Sequence, residues 1–279
     1  AIELSSPFKM IWFLFTPNLS SPIFWMGAFY GVYLILLSIE FYFTLKDKQK
    51  AVTPIAYVSL AIKLAALLNL GRVFGYIMSR EFWYGYYYPV YMVITAIVSG
   101  SAVLIMLVYL FGLKDDKLAE PSKSLIPHLG KILAGAIAVF AAAQATKIGL
   151  ALASSEQNLV EAAKALISGP VAPSFWLMEV AIGIGLPLFL LISSKFASVR
   201  KVVLAAVLAM VGLLFSRLNF VYSGQIYPLE VVPKPCLPFL GYNYYAATWS
   251  EWGIILGAIG VIIVVFNIAE NKLNLDPSH

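Results

Sequence analysis

Seven apolar runs, at residues 24–45, 51–78, 87–113, 131–153, 174–193, 199–221 and 249–269, limit what this chain can fold into. Each is close to or above the ~20 residues that an α-helix needs to cross ~30 Å of hydrocarbon. Lipid offers no water to an open backbone, so such runs are stable as helices, whose N–H and C=O groups bond within the segment. A soluble chain of this length could bury a core, but it would also need a polar exterior. Here 61% of the residues are hydrophobic and 12% are charged, against about a quarter charged in soluble domains. The expected fold is an all-α integral membrane protein with about seven transmembrane helices.

The charges fall between the runs, and their distribution gives an orientation. Lys46, Lys48, Lys50, Lys114, Lys117, Lys123, Lys131, Lys195, Arg200, Lys201 and Lys272 lie on one side, whereas Lys9, Arg80, Lys164 and Lys234 lie on the other. Positive loops resist translocation, so the lysine-rich side is expected in the cytoplasm, together with the C-terminus, and the protein in the cell membrane. The same placement explains the pI near 9.1 without nucleic-acid binding. Segment 8–15 is too short to span and reads as interfacial. Segment 156–167 reads as an amphipathic helix on the membrane surface. Two aromatic stretches, 82–91 and 225–249, mark the outer face, the second carrying Pro228, Pro233, Pro235 and Pro238. They are either interfacial belts or a docking surface for another subunit.

An internal duplication organises the runs. Pro22-Ile-Phe24-Trp25 opens the first and Pro173-Ser-Phe175-Trp176 the fifth, an offset of 151. Arg72 in GRVFGYIMS closes the second and Arg217 in SRLNFVYSG the sixth, an offset of 145. Both pairs run the same way through the membrane, so the repeats are parallel. Runs three and four lead into the fifth, so two equivalent helices are expected to precede the first. The chain then reads as an N-terminally incomplete version of a protein with two four-helix bundles and a final helix. Residues 1–78 would hold the interfacial segment and the second half of the first bundle. Residues 87–221 would form the second bundle, and 222–279 the Pro/aromatic loop and last helix.

Ionisable groups inside the runs are the candidates for function, because each is costly in hydrocarbon unless used or paired. Lys147, Glu179 and Arg217 share a depth near the outer face, with Gln144 one turn from Lys147. They form either buried ion pairs between helices or a proton-accessible site. Glu40 and Lys63, nearer the cytoplasm, either pair or line a water path. In the first repeat Arg72 and Asn69 can hold a carbonyl, and Trp83 and Tyr84 just beyond can flank a planar ring. No run contains histidine: the two are His128 and His279, which excludes haem held by two intramembrane histidines. The single Cys236 excludes an internal disulfide and a Cys-based iron–sulfur or zinc site. No nucleotide-binding motif or Ser–His–Asp set is present, and no residue is singled out as catalytic.

The runs SPIFWMGAFYGVYLI, LGRVFGYIMSREFWYGYYYPVYMVITAIVSGSAVL, FWLMEVAIGIGLPL and RLNFVYSGQIYP, with WSEWG opening the last helix, resemble the NrfD-like, or polysulfide reductase membrane subunit, family. The resemblance runs in order from about Pro22 to Asp276. It implies a haem-free, metal-free membrane subunit of a respiratory oxidoreductase that binds a quinone, of menaquinone or similar type. It also implies an iron–sulfur partner that relays electrons to or from a catalytic subunit of molybdopterin or nickel–iron type. In that family important quinone-pocket residues lie on the first helix of the first bundle, which is expected to be missing from this chain. The opposite wall, Asn69, Arg72, Trp83 and Tyr84, is therefore the candidate quinone site. Glu179 and Arg217 stand at the family's FWxxE and RxNF positions. A secondary transporter using Glu179, Arg217 and Lys147, or a structural anchor, are the alternatives.

Overall fold

A computed structural model describes residues 15–114, 117–118, 120–226 and 248–273. It contains eight helices among these residues: α1 Pro22–Leu45, α2 Gln49–Gly75, α3 Tyr87–Gly112, α4 Glu120–Leu152, α5 Gln157–Ile167, α6 Ser174–Ser193, α7 Val199–Gln225 and α8 Trp249–Leu273. A two-residue hairpin, β1 Leu113–Lys114 with β2 Lys117–Leu118, joins α3 to α4. All but α5 are long and apolar enough to cross a membrane, so the protein is a multi-pass membrane protein with seven spans. Two expected ends move. α2 stops at Gly75 because Gly85 turns back and donates its N–H to the Gly75 carbonyl at 3.1 Å. α4 starts eleven residues earlier than position 131, adding a charged segment that the apolar run does not mark. Segment 8–14 and most of 225–249 lie outside the described residues.

α3, α4, α6 and α7 pack as a four-helix bundle. One part of its interior is apolar, with Ile105, Leu133, Leu191 and Val202 fully buried. Gly130 of α4 lets Val202 and Leu191 come close, since a Cβ there would sit 3.1 Å from the Val202 side chain. The α1–α2 hairpin joins this bundle through α2 and α3. A Cβ on Gly71 would overlap the backbone at Pro89, so the two helices touch backbone to backbone there. α1 itself buries no residue. α5 is amphipathic as expected, but its Ala162, Ala163, Ala165 and Leu166 are buried by protein. The expected surface helix is thus a cover on the bundle.

The matched sequence motifs also have matching local geometry. Trp25 donates its indole N–H to the Leu19 carbonyl, and Trp176 donates its own to Ile167, both at 2.8 Å. Each indole meets the preceding Phe edge to face, at 5.7 Å and 5.1 Å between ring centres. The turns that end α1 and α6 repeat one hydrogen-bond pattern. Lys46, Asp47 and Lys48 donate to Tyr42, Thr44 and Phe43, whereas Ser194, Lys195 and Phe196 donate to Leu190, Ile192 and Leu191. Asp47 and Lys195 both take left-handed backbone, with φ of 52° and 48°, as a chain reversing at a helix C-terminus requires.

α8 belongs to a second compact unit, Tyr242–His279. Thr248 and Glu251 cap it reciprocally. The Thr248 N–H and hydroxyl donate to Glu251 Oε2 at 2.6 and 2.9 Å, and the Glu251 N–H donates to Thr248 Oγ1 at 3.4 Å. This is a capping box, satisfying N–H groups that a helix start leaves open.

Candidate functional site

The first twelve residues of α6, Ser174–Gly185, form a π-helix, with the Leu186 N–H bonded five residues back to Ala181. Pro187 follows in the next turn and brings no N–H, and such wider turns recur at functional sites. A glycine crossing holds the segment in place. A Cβ on Gly183 or Gly212 would fall onto the other's backbone, so α6 and α7 meet with nothing between them. On this wide, closely held segment sits Glu179, 1% exposed.

Two side chains hold the Glu179 carboxylate. Gln144 of α4 donates Nε2 to Oε1 at 2.6 Å, and Asn219 of α7 donates Nδ2 to Oε2 at 2.8 Å. A second layer fixes the first. Tyr87 donates its hydroxyl to Gln144 Oε1 at 2.5 Å, and Ser174 donates to Asn219 Oδ1 at 2.7 Å. Each amide therefore has its oxygen engaged by a hydroxyl and its nitrogen turned to Glu179, which removes the usual ambiguity of amide orientation. The Tyr91 and Ser216 hydroxyls share a 3.0 Å bond nearby. Side chains of α4 and α7 thus meet the carboxylate of α6 directly, and Tyr87 of α3 joins through Gln144.

Lys147 faces the same region. Its Nζ lies over the rings of Phe82, Tyr87 and Tyr88 at 5.3, 5.5 and 5.4 Å, a cation–π cage. The stretch 82–91 therefore builds core as well as surface. Phe82, Trp83, Tyr88 and Tyr91 are buried, while Tyr84 and Tyr86 are 51% and 89% exposed. Lys147 and Glu179 both line a cavity of about 20 Å³, with Gln144, Asn219 and Ser223 also in its wall.

The expected ion pair between Glu179 and Arg217 is not formed. The salt bridges among the described residues are Lys123–Glu120 and Lys164–Glu161, and Arg217 is exposed. The reason is helical phase. Arg217 precedes Asn219 by two residues, about 200° around α7, and Asn219 is the residue that faces Glu179. Glu40 and Lys63 do not pair either; Lys63 lies over Tyr33 at 5.6 Å.

In the first repeat the four expected wall residues separate into two layers. Arg72 is exposed, donates to the Tyr76 hydroxyl at 2.8 Å and stacks on its ring at 5.1 Å. Tyr84 is accessible. Asn69 is 3% exposed and donates Nδ2 to the Pro22 carbonyl at 2.7 Å. Its Oδ1 is buried without a partner. Trp83, 5% exposed, donates to the Phe220 carbonyl at 3.0 Å and packs against Phe74 and Phe220. Asn69 and Trp83 are thus enclosed by protein, each donating to a backbone carbonyl.

Sequence reasoning missed Tyr87, Tyr91, Ser174 and Ser216, and saw Asn219 only as part of a motif. A signal was present in α7, where Gly212, Ser216, Asn219 and Ser223 recur at helical spacing. Such a stripe of small and polar residues marks a helix face that is buried against helices, not lipid.

The family described as polysulphide reductase, NrfD, matches residues 1–228. The chain is 26% identical over 274 residues to an Hdr-like menaquinol oxidoreductase integral membrane subunit of Archaeoglobus fulgidus, covering 93% of this chain and 67% of that one. It is 24% identical over 231 residues to a selenate reductase subunit of Mesobacillus selenatarsenatis, covering 82% and 53%. This chain spans about two thirds and about half the length of those relatives.

Proposed function

Because the chain belongs to the NrfD polysulphide reductase family, we propose that it is a quinone-linked membrane subunit of a respiratory oxidoreductase complex. In this reading it takes electrons from quinol, or delivers them to quinone, and exchanges them with an iron–sulfur subunit. That subunit serves a catalytic subunit of molybdopterin or nickel–iron type. The observation that carries the reading is the match over residues 1–228, supported by a relative whose name includes menaquinol oxidoreductase. The complex lies in the cell membrane, with the lysine-rich loops and the C-terminus in the cytoplasm.

A quinone needs a donor for a carbonyl, an accessible apolar surface for its ring and an opening to lipid for its tail. Arg72 supplies the donor, and the exposed rings of Tyr76 and Tyr84 supply the surface. Asn69 and Trp83 support this wall from behind. The quinone would be held while electrons pass; its redox chemistry is its own. The polar cluster around Glu179 would handle protons, with Lys147 beside it.

Arg72→Leu tests the site, since it keeps the apolar stem and removes the donor. A hydrogen bond from a charged group contributes about 1.5–3 kcal/mol, so quinone-dependent turnover of the intact complex should fall about ten- to a hundredfold. Turnover with a dye that bypasses quinone should fall less. Wild-type quinone affinity and turnover would move the pocket elsewhere. A complex purified without any iron–sulfur subunit would favour a transporter or a structural anchor.

A further inference from the structure

An acid and an amine, Glu179 and Lys147, line one cavity in the bundle, yet their N···O separation exceeds the 4.0 Å limit of a direct salt bridge. The cavity, about 20 Å³, is large enough for a single water, which needs two to four polar partners. Gln144, Lys147, Glu179, Asn219 and Ser223 supply that number. Polar groups facing each other beyond hydrogen-bond reach are commonly joined through such a water. The three ring faces under Lys147 hold its ammonium in place through their π-electrons but take up no proton. The carboxylate, clamped by two oriented amides, does.

We propose that one water in this cavity bridges Lys147 Nζ to the Glu179 carboxylate and that one proton passes across it. The proton leaves Nζ for the water oxygen while that water gives one of its own to a carboxylate oxygen. An ammonium and a carboxylate become an amine and a carboxylic acid. The water is regenerated and no electron moves. The pair carries zero net charge before and after, so neither form leaves a lone charge in the bundle. Tyr87, Tyr88 and Tyr91 face the pair from α3, while Arg217 lies on another side of α7. Tyr87 and Gln144 are positioning residues: the phenol orients the amide, and the amide orients the acid.

The inference deepens the proton-handling part of the proposed function, but its test uses no quinone. The purified complex in lipid nanodiscs is measured by infrared spectroscopy for the C=O stretch of a protonated carboxyl, with and without deuterium exchange. Wild type should show a band that shifts in deuterated water and is missing in Glu179→Gln. Lys147→Arg should lose the band, because a guanidinium keeps its proton and the acid then stays ionised. Lys147→Met, which keeps the apolar stem, should keep a full band. A Glu179 band unaffected by Lys147→Arg, a wild type without the band, or Lys147→Met without it would each overturn the proposal. Loss of quinone-dependent turnover with these bands intact would count against the quinone reading alone.

Discussion

The α1–α2 and α6–α7 hairpins begin with the same indole contact and turn through the same hydrogen-bond pattern, yet they put these to different use. The offset between them shrinks from 151 at the tryptophans to 148 at the turns and 145 at the arginines, so each site has two counterparts. Both are informative. Glu179 corresponds to Ala28 or Gly31, Gly183 to Val32 or Ile35, and Gly212 to Leu64 or Leu67. Asn219, close to the arginine anchor, corresponds to Phe74. The second hairpin has glycines at its crossing and a carboxylate with its clamps. The first has branched side chains and an aromatic ring there, and that ring packs on Trp83 and Phe220. A duplicated helix pair can therefore preserve its ends and turn while its middle becomes either a polar site or an apolar spacer. Burial separates the two copies: α1 buries nothing where α6 buries five residues, and α2 buries five where α7 buries eleven.

The largest expected effect comes from giving the second hairpin the bulk of the first. Gly212→Leu puts a side chain where even a Cβ would fall on Gly183, and should cost more than about 3 kcal/mol, abolishing folded protein in detergent. Gly31→Leu, at a position with open space, should leave yield and melting temperature unchanged. Equal yields for the two variants would refute the close crossing.

Next in size is one substitution made in both halves. Asn219→Leu strips a donor from Glu179 and an acceptor from Ser174, at about 1–3 kcal/mol for each buried group left short. Asn69→Leu removes one bond to Pro22 but also removes a buried, unpartnered Oδ1. Those terms oppose each other, so its net effect should stay under about 1 kcal/mol. Thermal unfolding of both variants measures the difference, and a larger loss at Asn69 would reverse the assignment of which half is polar.

The smallest effect should be shared. Trp25→Phe and Trp176→Phe each forfeit one indole donor to an upstream carbonyl, worth about 0.5–1.5 kcal/mol. Similar shifts in melting temperature would confirm that the copies keep equivalent ends.

The seven spans and the burial of Glu179 were legible because length, hydropathy and rare intramembrane charge are properties of the chain itself. The partners of Glu179 were not. Charge complementarity favours Arg217, but a residue two places from Asn219 points away from whatever Asn219 touches. Trp83 and Tyr84 are adjacent in sequence and equally aromatic, yet one is enclosed and the other is open. Only the turn that folds Gly85 back onto Gly75 decides which faces inward. Rotation about a helix axis and the path of a short turn are set by packing, and a single sequence records them faintly.

Trp83 carries a further consequence. Its ring fills the notch that Gly224 leaves at the end of α7, where any Cβ would collide with the indole. Positions 83 and 224 are 141 apart in sequence and cannot drift separately. A larger residue at 224 evicts the tryptophan, and a smaller one at 83 opens a hole that only a larger residue at 224 can close. The two positions therefore form one steric unit, in which the connector before α3 and the last turn of α7 fit only as a pair.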